Sequence, residues 1–215
     1  MGASALVFFR ERGQMTGELR QREQYAKGGI GRWYWDLRDE RTLSQIGPEK
    51  EILDLGCGEG ITLERILRRF PDRHVLGIDA GEEKVKICRE HRLPARLGSA
   101  YALDLEDQSW DCCLLLEVIE HLEEPRKALG EIHRVLRKGG LLLLIFPHDW
   151  LFKAARLGFL KFKEAFAPSG HMKQWTPGEM SRTLREAGFE VQTQICMPLS
   201  FWWCSLHCLM VARKR

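Results

Sequence analysis

The chain has 215 residues, of which 44% are hydrophobic and 29% charged, and its net charge is +3. This length allows one substantial core and excludes several large domains, and the slight positive charge argues against a DNA partner and gives no support for RNA. Seven cysteines without regular spacing are typical of a reducing compartment. The apolar run at residues 5–9 is too short for a signal peptide or a membrane span, so we expect a cytoplasmic protein without a transmembrane segment.

The N-terminal part of the chain differs in composition from the rest. Residues 1–30 are polar and contain several glycines, so we expect a partly ordered extension, followed by one domain over residues 31–215. At residues 32–46 the apolar spacing predicts a helix with Trp33 and Leu37 on its inward face.

Beyond this helix, short apolar runs alternate with amphipathic runs of helical period. The predicted strands are residues 51–56, 74–80, 95–100, 110–118, 140–147, 189–197 and 205–214, and one of the helices between them is predicted at 125–140. This alternation predicts an α/β fold, a doubly wound Rossmann-like sheet that is mostly parallel and has helices on both faces. The segment between the last two strands is too short for a parallel crossover, so we expect the last strand to be antiparallel.

Three glycines, Gly56, Gly58 and Gly60, follow the first predicted strand at every second position. Glycine there lets the main chain approach a ligand closely, although a structural turn would also use it. Asp79 ends the next strand, about 20 residues later, where a carboxylate can bind ribose hydroxyls or cap the following helix. Ile61 stands where a dinucleotide fold has its third glycine, which disfavours a nicotinamide cofactor.

Five segments of the chain resemble class I S-adenosylmethionine-dependent methyltransferases, in that family's order. They are ILDLGCGEG (52–60), VLGIDA (75–80), LGSA with LEDQSWD (97–111), LLEVIEHLEEP (115–125) and VLRKGGLLLLIFP (135–147). The resemblance implies a seven-stranded sheet with a reversed last strand and S-adenosylmethionine as the cofactor.

The resemblance also implies which residues bind the cofactor. Asp54 and the glycine loop would hold its methionine end, Asp79 its ribose and Ala80 its adenine, while Ser99 and Ala100 would border the adenine and Leu116 and Glu117 would line the cofactor. Ser99 stands where many relatives carry Asp; serine can also accept a hydrogen bond from the adenine, but as a neutral and shorter group. We therefore expect a somewhat weaker cofactor affinity and no change of cofactor.

The segment EVIEH after the fourth predicted strand contains the candidate catalytic bases Glu120 and His121, preceded by Glu117. The E-x-x-E-H pattern resembles metal-dependent O-methyltransferases, including small-RNA 2′-O-methyltransferases and some ubiquinone-pathway enzymes. His171, in the segment HMKQWT, matches a further histidine of the RNA enzymes and is the third catalytic candidate. That resemblance would allow Mg²⁺ or a similar divalent metal to bind here. Relatives without a metal share the pattern, however, and Glu120 and His121 could instead cap the next helix. We therefore assign no metal ligand.

Residues 148–170 contain phenylalanines at helical spacing, with most of the basic residues elsewhere on the helical wheel. We expect a lid-like insertion over the active site; a helix packed on the core, or a surface for a membrane or an anionic partner, are the alternatives. An aromatic lid favours a small apolar or aromatic acceptor, with oxygen as the methylated atom. A metal-dependent RNA 2′-O-methyltransferase and a non-catalytic cofactor-binding partner subunit stay open as alternative functions.

Overall fold

The computed structural model describes residues 21–148, 172–199 and 201–215. His171 and all but the first residue of the predicted insertion at 148–170 lie outside the described residues, as do residues 1–20 of the predicted extension. Within the described ranges, no helix combines the length and the apolar character needed to cross a membrane.

The described residues form one seven-stranded sheet with helices around it. The strands are β1 (Glu51–Leu55), β2 (His74–Asp79), β3 (Ala95–Leu97), β4 (Trp110–Leu116), β5 (Leu136–Pro147), β6 (Phe189–Met197) and β7 (His207–Lys214). The helices are α1 (Gln21–Ala26), α2 (Gly29–Leu43), α3 (Ile61–Arg69), α4 (Glu82–Glu90), α5 (Pro125–Val135) and α6 (Pro177–Glu186), with 3₁₀ turns at Ile119–His121 and Trp202–Cys204.

The strand order across the sheet is β3-β2-β1-β4-β5-β7-β6. The first five strands pair in parallel, whereas β7 is antiparallel to both β5 and β6. The predicted seven-stranded, mostly parallel sheet with a reversed last strand is therefore confirmed. Because the strand order reverses between β1 and β4, a crevice opens beyond the carboxyl ends of these strands.

The sheet is buried on both faces. Alternate residues of β5 belong to opposite cores, with Leu142, Leu144 and Phe146 on one face and Leu141, Leu143 and Ile145 on the other. Helices α5 and α6 cover the first face and α3 and α4 cover the second. Burial on both sides explains why the runs at 112–116 of β4 and 141–145 of β5 lack polar residues, and each buried leucine stabilises the fold by about 1.5–3 kcal/mol.

The end of α5 differs from the prediction. The helix ends at Val135, and residues 136–140 belong to β5, so the prediction of a helix over 125–140 was wrong at its C-terminal end. Trp110 pairs with Leu136 but Cys112 pairs with Leu141, so the residues between Leu136 and Leu141 bulge out of the ladder. The two glycines that suggested a helix end serve this bulge instead, because Gly139 has a φ of +75°.

Helix α2 also differs from the prediction, because its buried face is polar. Arg38, Asp39 and Thr42 are buried, whereas Trp33 is 58% exposed, so the expectation that Trp33 faces inward was wrong. Asp39 accepts a hydrogen bond of 2.5 Å from Arg65 of α3, which joins α2 to α3. The helix therefore brings charged side chains to the carboxyl ends of the strands.

Candidate functional site

A cavity of about 690 Å³ lies beyond the carboxyl ends of β1, β2 and β4. Of the residues predicted for the site, those that line it are Asp54, Gly56, Gly58, Asp79, Ala80, Ser99, Ala100, Leu116, Glu117, Glu120 and His121. The structure thus brings together predicted residues from four separate segments of the sequence. The size is typical of a cleft for a nucleotide-sized ligand.

Gly60 is the described candidate that does not line the cavity. It precedes α3 with a φ of +78°, and a Cβ at this position would lie 2.5 Å from Leu93 Cδ1 and 2.9 Å from Cys88 Sγ. The residue therefore has to be glycine for the loop to pack on the α4 side, behind the cavity wall.

The glycine loop, residues 56–60, is bound to the end of β2. The Gly56 amide donates to the Ile78 carbonyl at 2.6 Å, and the Gly58 amide donates to Asp79 Oδ2 at 2.8 Å. Gly56 has a φ of +81°, and a Cβ there would overlap the Val118 side chain. These contacts leave bare main chain along one wall of the cavity.

Asp79 is 7% exposed, and both of its carboxylate oxygens accept main-chain hydrogen bonds. Besides the bond from Gly58, Oδ1 accepts from the Gly81 amide at 2.8 Å, and Lys84 Nζ lies 3.8 Å away. The N-cap residue of α4 is Gly81, which has no side chain to cap the helix. Asp79 lies two residues earlier, and its carboxylate connects the glycine loop to the start of α4. A carboxylate held this way is oriented before any ligand arrives.

Asp54 lies near the end of β1 and is 2% exposed. Burial, followed by the nearby carboxylates of Asp39 and Asp79, raises the pKa of Asp54 from 3.8 to about 7, and Arg38 offsets only part of this rise. Within the described part of the chain, Asp54 Oδ2 has no hydrogen-bond partner. A cationic group in the cavity would satisfy this oxygen and stabilise its charge.

Arg38 of α2 is a residue that the sequence reasoning missed. It lines the cavity, its side chain is 7% exposed, and it forms ion pairs with Asp39 at 2.8 Å and with Glu117. The available signal was the spacing of Tyr34, Arg38 and Thr42, which places polar residues on one helical face at steps of four.

Glu117 follows β4 with a φ of +57°, an uncommon conformation for a residue other than glycine. Its Oε1 is shared by Arg38 and by Nε2 of His207, which lies 3.2 Å away. Burial alone would raise the pKa of Glu117, but the interactions with His207 and Arg38 outweigh it and hold the pKa well below its usual value. The side chain therefore stays anionic, and His207 is a second residue that the sequence reasoning missed.

Glu120 and His121 belong to the 3₁₀ turn that follows Glu117. Glu120 is 2% exposed, whereas His121 is exposed at the edge of the cavity. Neither side chain caps α5, whose N-cap residue is Glu124, so the capping alternative is not observed. Among residues 21–148, 172–199 and 201–215, no group of three or more His, Cys, Asp or Glu side chains is arranged to hold a metal ion.

The opposite end of the cavity is formed by the turn after β3. Ser99 Oγ accepts from the Tyr101 amide at 3.2 Å, and the Tyr101 hydroxyl accepts from the Glu123 amide at 2.9 Å. Ser99 is thus engaged by its own turn but retains acceptor capacity. The Tyr101 side chain, which the sequence reasoning did not single out, joins this turn to the segment before α5.

Comparison with known proteins supplies further findings. Residues 53–144 match a family model described as a methyltransferase domain. A ubiquinone biosynthesis O-methyltransferase of Aeromonas salmonicida is 30% identical over an alignment of 188 positions, which covers 75% of this chain and 77% of that protein. A probable S-adenosylmethionine-dependent methyltransferase of Mycolicibacterium smegmatis is 30% identical over an alignment of 164 positions, which covers 74% of this chain. The chain spans only 60% of the length of that relative.

Solved structures agree with the fold. A crystal structure of an S-adenosylmethionine-dependent methyltransferase from Thermotoga maritima superimposes with a TM-score of 0.67. The match covers 89% of this chain and 95% of that chain at 21% identity, so it is similar in architecture more than in sequence.

Proposed function

The chain belongs to the class I S-adenosylmethionine-dependent methyltransferases, and we propose that it transfers a methyl group from S-adenosylmethionine to an oxygen atom of a small-molecule acceptor. The observation that carries this proposal is the cavity's division into two ends. One end has Asp79 and the turn at Ser99, and the other has the buried carboxylate of Asp54 beside Arg38. A nucleoside joined to an amino acid has matching ends.

The described residues fit this cofactor. The unpartnered Oδ2 of Asp54 and the bare loop at Gly56 and Gly58 suit the methionine end, whose ammonium needs acceptors. Asp79 is oriented by main-chain amides and would bind the ribose hydroxyls. The adenine would lie against Ala80, Ser99 and Ala100, and Leu116 and Glu117 would form the wall beside β4.

When bound, S-adenosylmethionine supplies a methyl group already activated by its sulfonium, so the chain needs no covalent nucleophile. The protein's work is to hold the acceptor oxygen in line and to exclude water, which can contribute about 7–11 kcal/mol in well-oriented systems. A hydroxyl acceptor must also lose its proton. We assign this step to His121, which lies at the cavity edge, with Glu120 beside it and His171 as a further base.

The acceptor side of the cavity supports a ring-bearing or apolar acceptor. Trp35, Ile61, Val118 and Leu122 contribute apolar surface to the cavity that His121 also lines. The curated relatives named for ubiquinone biosynthesis support oxygen as the methylated atom, at about 30% identity. We place the reaction in the cytoplasm, because all seven cysteines are free thiols.

The test begins with S-adenosylmethionine binding to the purified chain, followed by methyl transfer to a panel of phenols and catechols. We expect binding and transfer to at least one catechol, and we expect His121→Gln to slow transfer by about 100-fold while leaving cofactor affinity unchanged. His91→Gln, at an exposed histidine, is the matched control. An unchanged rate in His121→Gln would remove that base from the mechanism.

The alternative functions give different results in the same experiment. Transfer only to short RNAs, and only with Mg²⁺, would replace the small-molecule acceptor with RNA. Cofactor binding without turnover on any acceptor would support a non-catalytic partner subunit. Absence of cofactor binding would refute the proposed function.

A further inference from the structure

We propose that His207 and Tyr34 are positioning residues that hold the Glu117 carboxylate so that its second oxygen binds the ammonium group at the amino-acid end of the cofactor. This inference rests on the proposed function, since it assigns a role toward S-adenosylmethionine. It concerns Tyr34 of α2, Glu117 directly after β4 and His207 of β7, which lie far apart in the sequence.

The two oxygens of Glu117 have different surroundings. Oε1 is contacted by both Arg38 and His207, whereas the hydrogen bonds and ion pairs of the described residues do not involve Oε2. The side chain is 35% exposed and lines the cavity, so the unengaged oxygen is open to a ligand. The Glu117 amide donates to the Ile145 carbonyl at 3.0 Å, which anchors the main chain of this residue in its left-handed conformation.

His207 holds Oε1 from a fixed place in the sheet. It is 3% exposed and pairs with Pro147 in the antiparallel ladder between β5 and β7. Its Nδ1 lies 2.7 Å from the Tyr34 hydroxyl, and the two rings stack with centroids 5.5 Å apart. Tyr34 in turn donates to the Met197 carbonyl at 3.2 Å. The imidazole therefore has little freedom to rotate away from Glu117.

The charge pattern identifies the group that Glu117 would bind. Glu117 and Asp54 both lie near Arg38, so this end of the cavity holds two carboxylates and one guanidinium. A ligand with both an ammonium and a carboxylate complements such an end, whereas the uncharged nucleoside does not. An ammonium donates three hydrogen bonds. Oδ2 of Asp54, which has no partner among the described residues, and Oε2 of Glu117 are suitable acceptors.

Two probes separate this role from a general structural one. S-adenosylhomocysteine carries the amino-acid end, and 5′-methylthioadenosine has the same nucleoside without it. Calorimetric affinities for both probes would be measured with the full chain and its variants. We expect Glu117→Gln to weaken the affinity for S-adenosylhomocysteine by roughly 10–100-fold and to leave the affinity for 5′-methylthioadenosine unchanged.

The positioning residues should show the same selectivity with a smaller effect. His207→Gln and Tyr34→Phe should each weaken the affinity for S-adenosylhomocysteine by roughly threefold to tenfold and leave the affinity for 5′-methylthioadenosine unchanged. Combined with Glu117→Gln, neither should weaken binding further, because both act through that carboxylate. The matched controls are His133→Gln, at a half-buried histidine near the other end of the sheet, and Tyr25→Phe, which removes a hydroxyl bonded to Asp36 at 2.8 Å.

Several outcomes would overturn the inference. These are an equal loss for both probes in His207→Gln and Tyr34→Phe, no loss in either, or losses that add fully to that of Glu117→Gln. If His207→Gln does not fold, the Tyr34→Phe variant, which loses only a hydroxyl, still decides the question. If the wild-type chain binds neither probe, the proposed function fails; if it binds both and the variants do not discriminate, only this inference fails.

Discussion

In the ligand-free protein, Asp54→Asn should increase the free energy of unfolding much more at neutral pH than at about pH 4. The reason is that burial and neighbouring carboxylates raise the pKa of Asp54 from 3.8 to about 7. Between these values the folded state retains a proton that the unfolded state releases. The folded state is therefore penalised as the pH rises, and the penalty is absent below the unfolded pKa and complete above the folded one.

The size of the effect follows from the shift. About three pKa units correspond to roughly 4 kcal/mol at 1.36 kcal/mol per unit. Asparagine has nearly the same shape as the protonated acid and does not ionise, so the variant escapes the penalty. The stability difference between Asp54→Asn and the wild type should thus grow by roughly 4 kcal/mol from about pH 4 to about pH 7, and then level off.

Urea denaturation at several pH values measures this difference directly, and subtraction of the wild-type curve removes the contributions of other carboxylates. Asp104→Asn, at an exposed carboxylate, is the control and should give a flat difference. A difference for Asp54→Asn that varies by less than about 1 kcal/mol over the same range would refute the electrostatic argument.

The same shift predicts how the cofactor product binds. An ammonium beside Asp54 favours the ionised carboxylate, so S-adenosylhomocysteine should bind more tightly as the pH rises toward about 7. Below about pH 7, binding should release the proton that Asp54 carries in the free protein. Calorimetry in two buffers of different ionisation enthalpy detects this proton. The release should disappear in Asp54→Asn, and its persistence there would assign it to another group.

Gly56→Ala should lower both stability and S-adenosylhomocysteine affinity, because a φ of +81° strains alanine by about 1–2 kcal/mol and the methyl group would overlap Val118. Gly139 has a similar φ of +75° but open space around it, so thermal melting should show a smaller loss of stability in Gly139→Ala, and its S-adenosylhomocysteine affinity should be normal. Equal effects in the two variants would contradict the loop assignment. Asp79→Ala should abolish calorimetric binding and cost about 1–3 kcal/mol, since it also leaves the Gly58 amide without its acceptor, and an affinity within a few-fold of wild type would contradict the ribose assignment.

Much of the fold could be predicted because the pattern is local. Apolar runs with no polar alternation indicate strands buried on both faces, and amphipathic runs between them indicate covering helices. The short link before β7 excluded a parallel crossover. The boundary between α5 and β5 could not be predicted, because Gly139 and Gly140 have the same local signature at a helix end and in a strand bulge.

The sequence by itself determined the parallel sheet, the glycine loop and the acidic residues at two strand ends, because periodicity and strand direction place these groups at one edge. Tertiary structure alone decided what surrounds Glu117. Arg38 lies 79 positions away, and Tyr34 and His207 are 173 positions apart. Their meeting depends on how α2 crosses the sheet and on the register of β7 against β5, and these long-range packing choices leave no local trace in the chain.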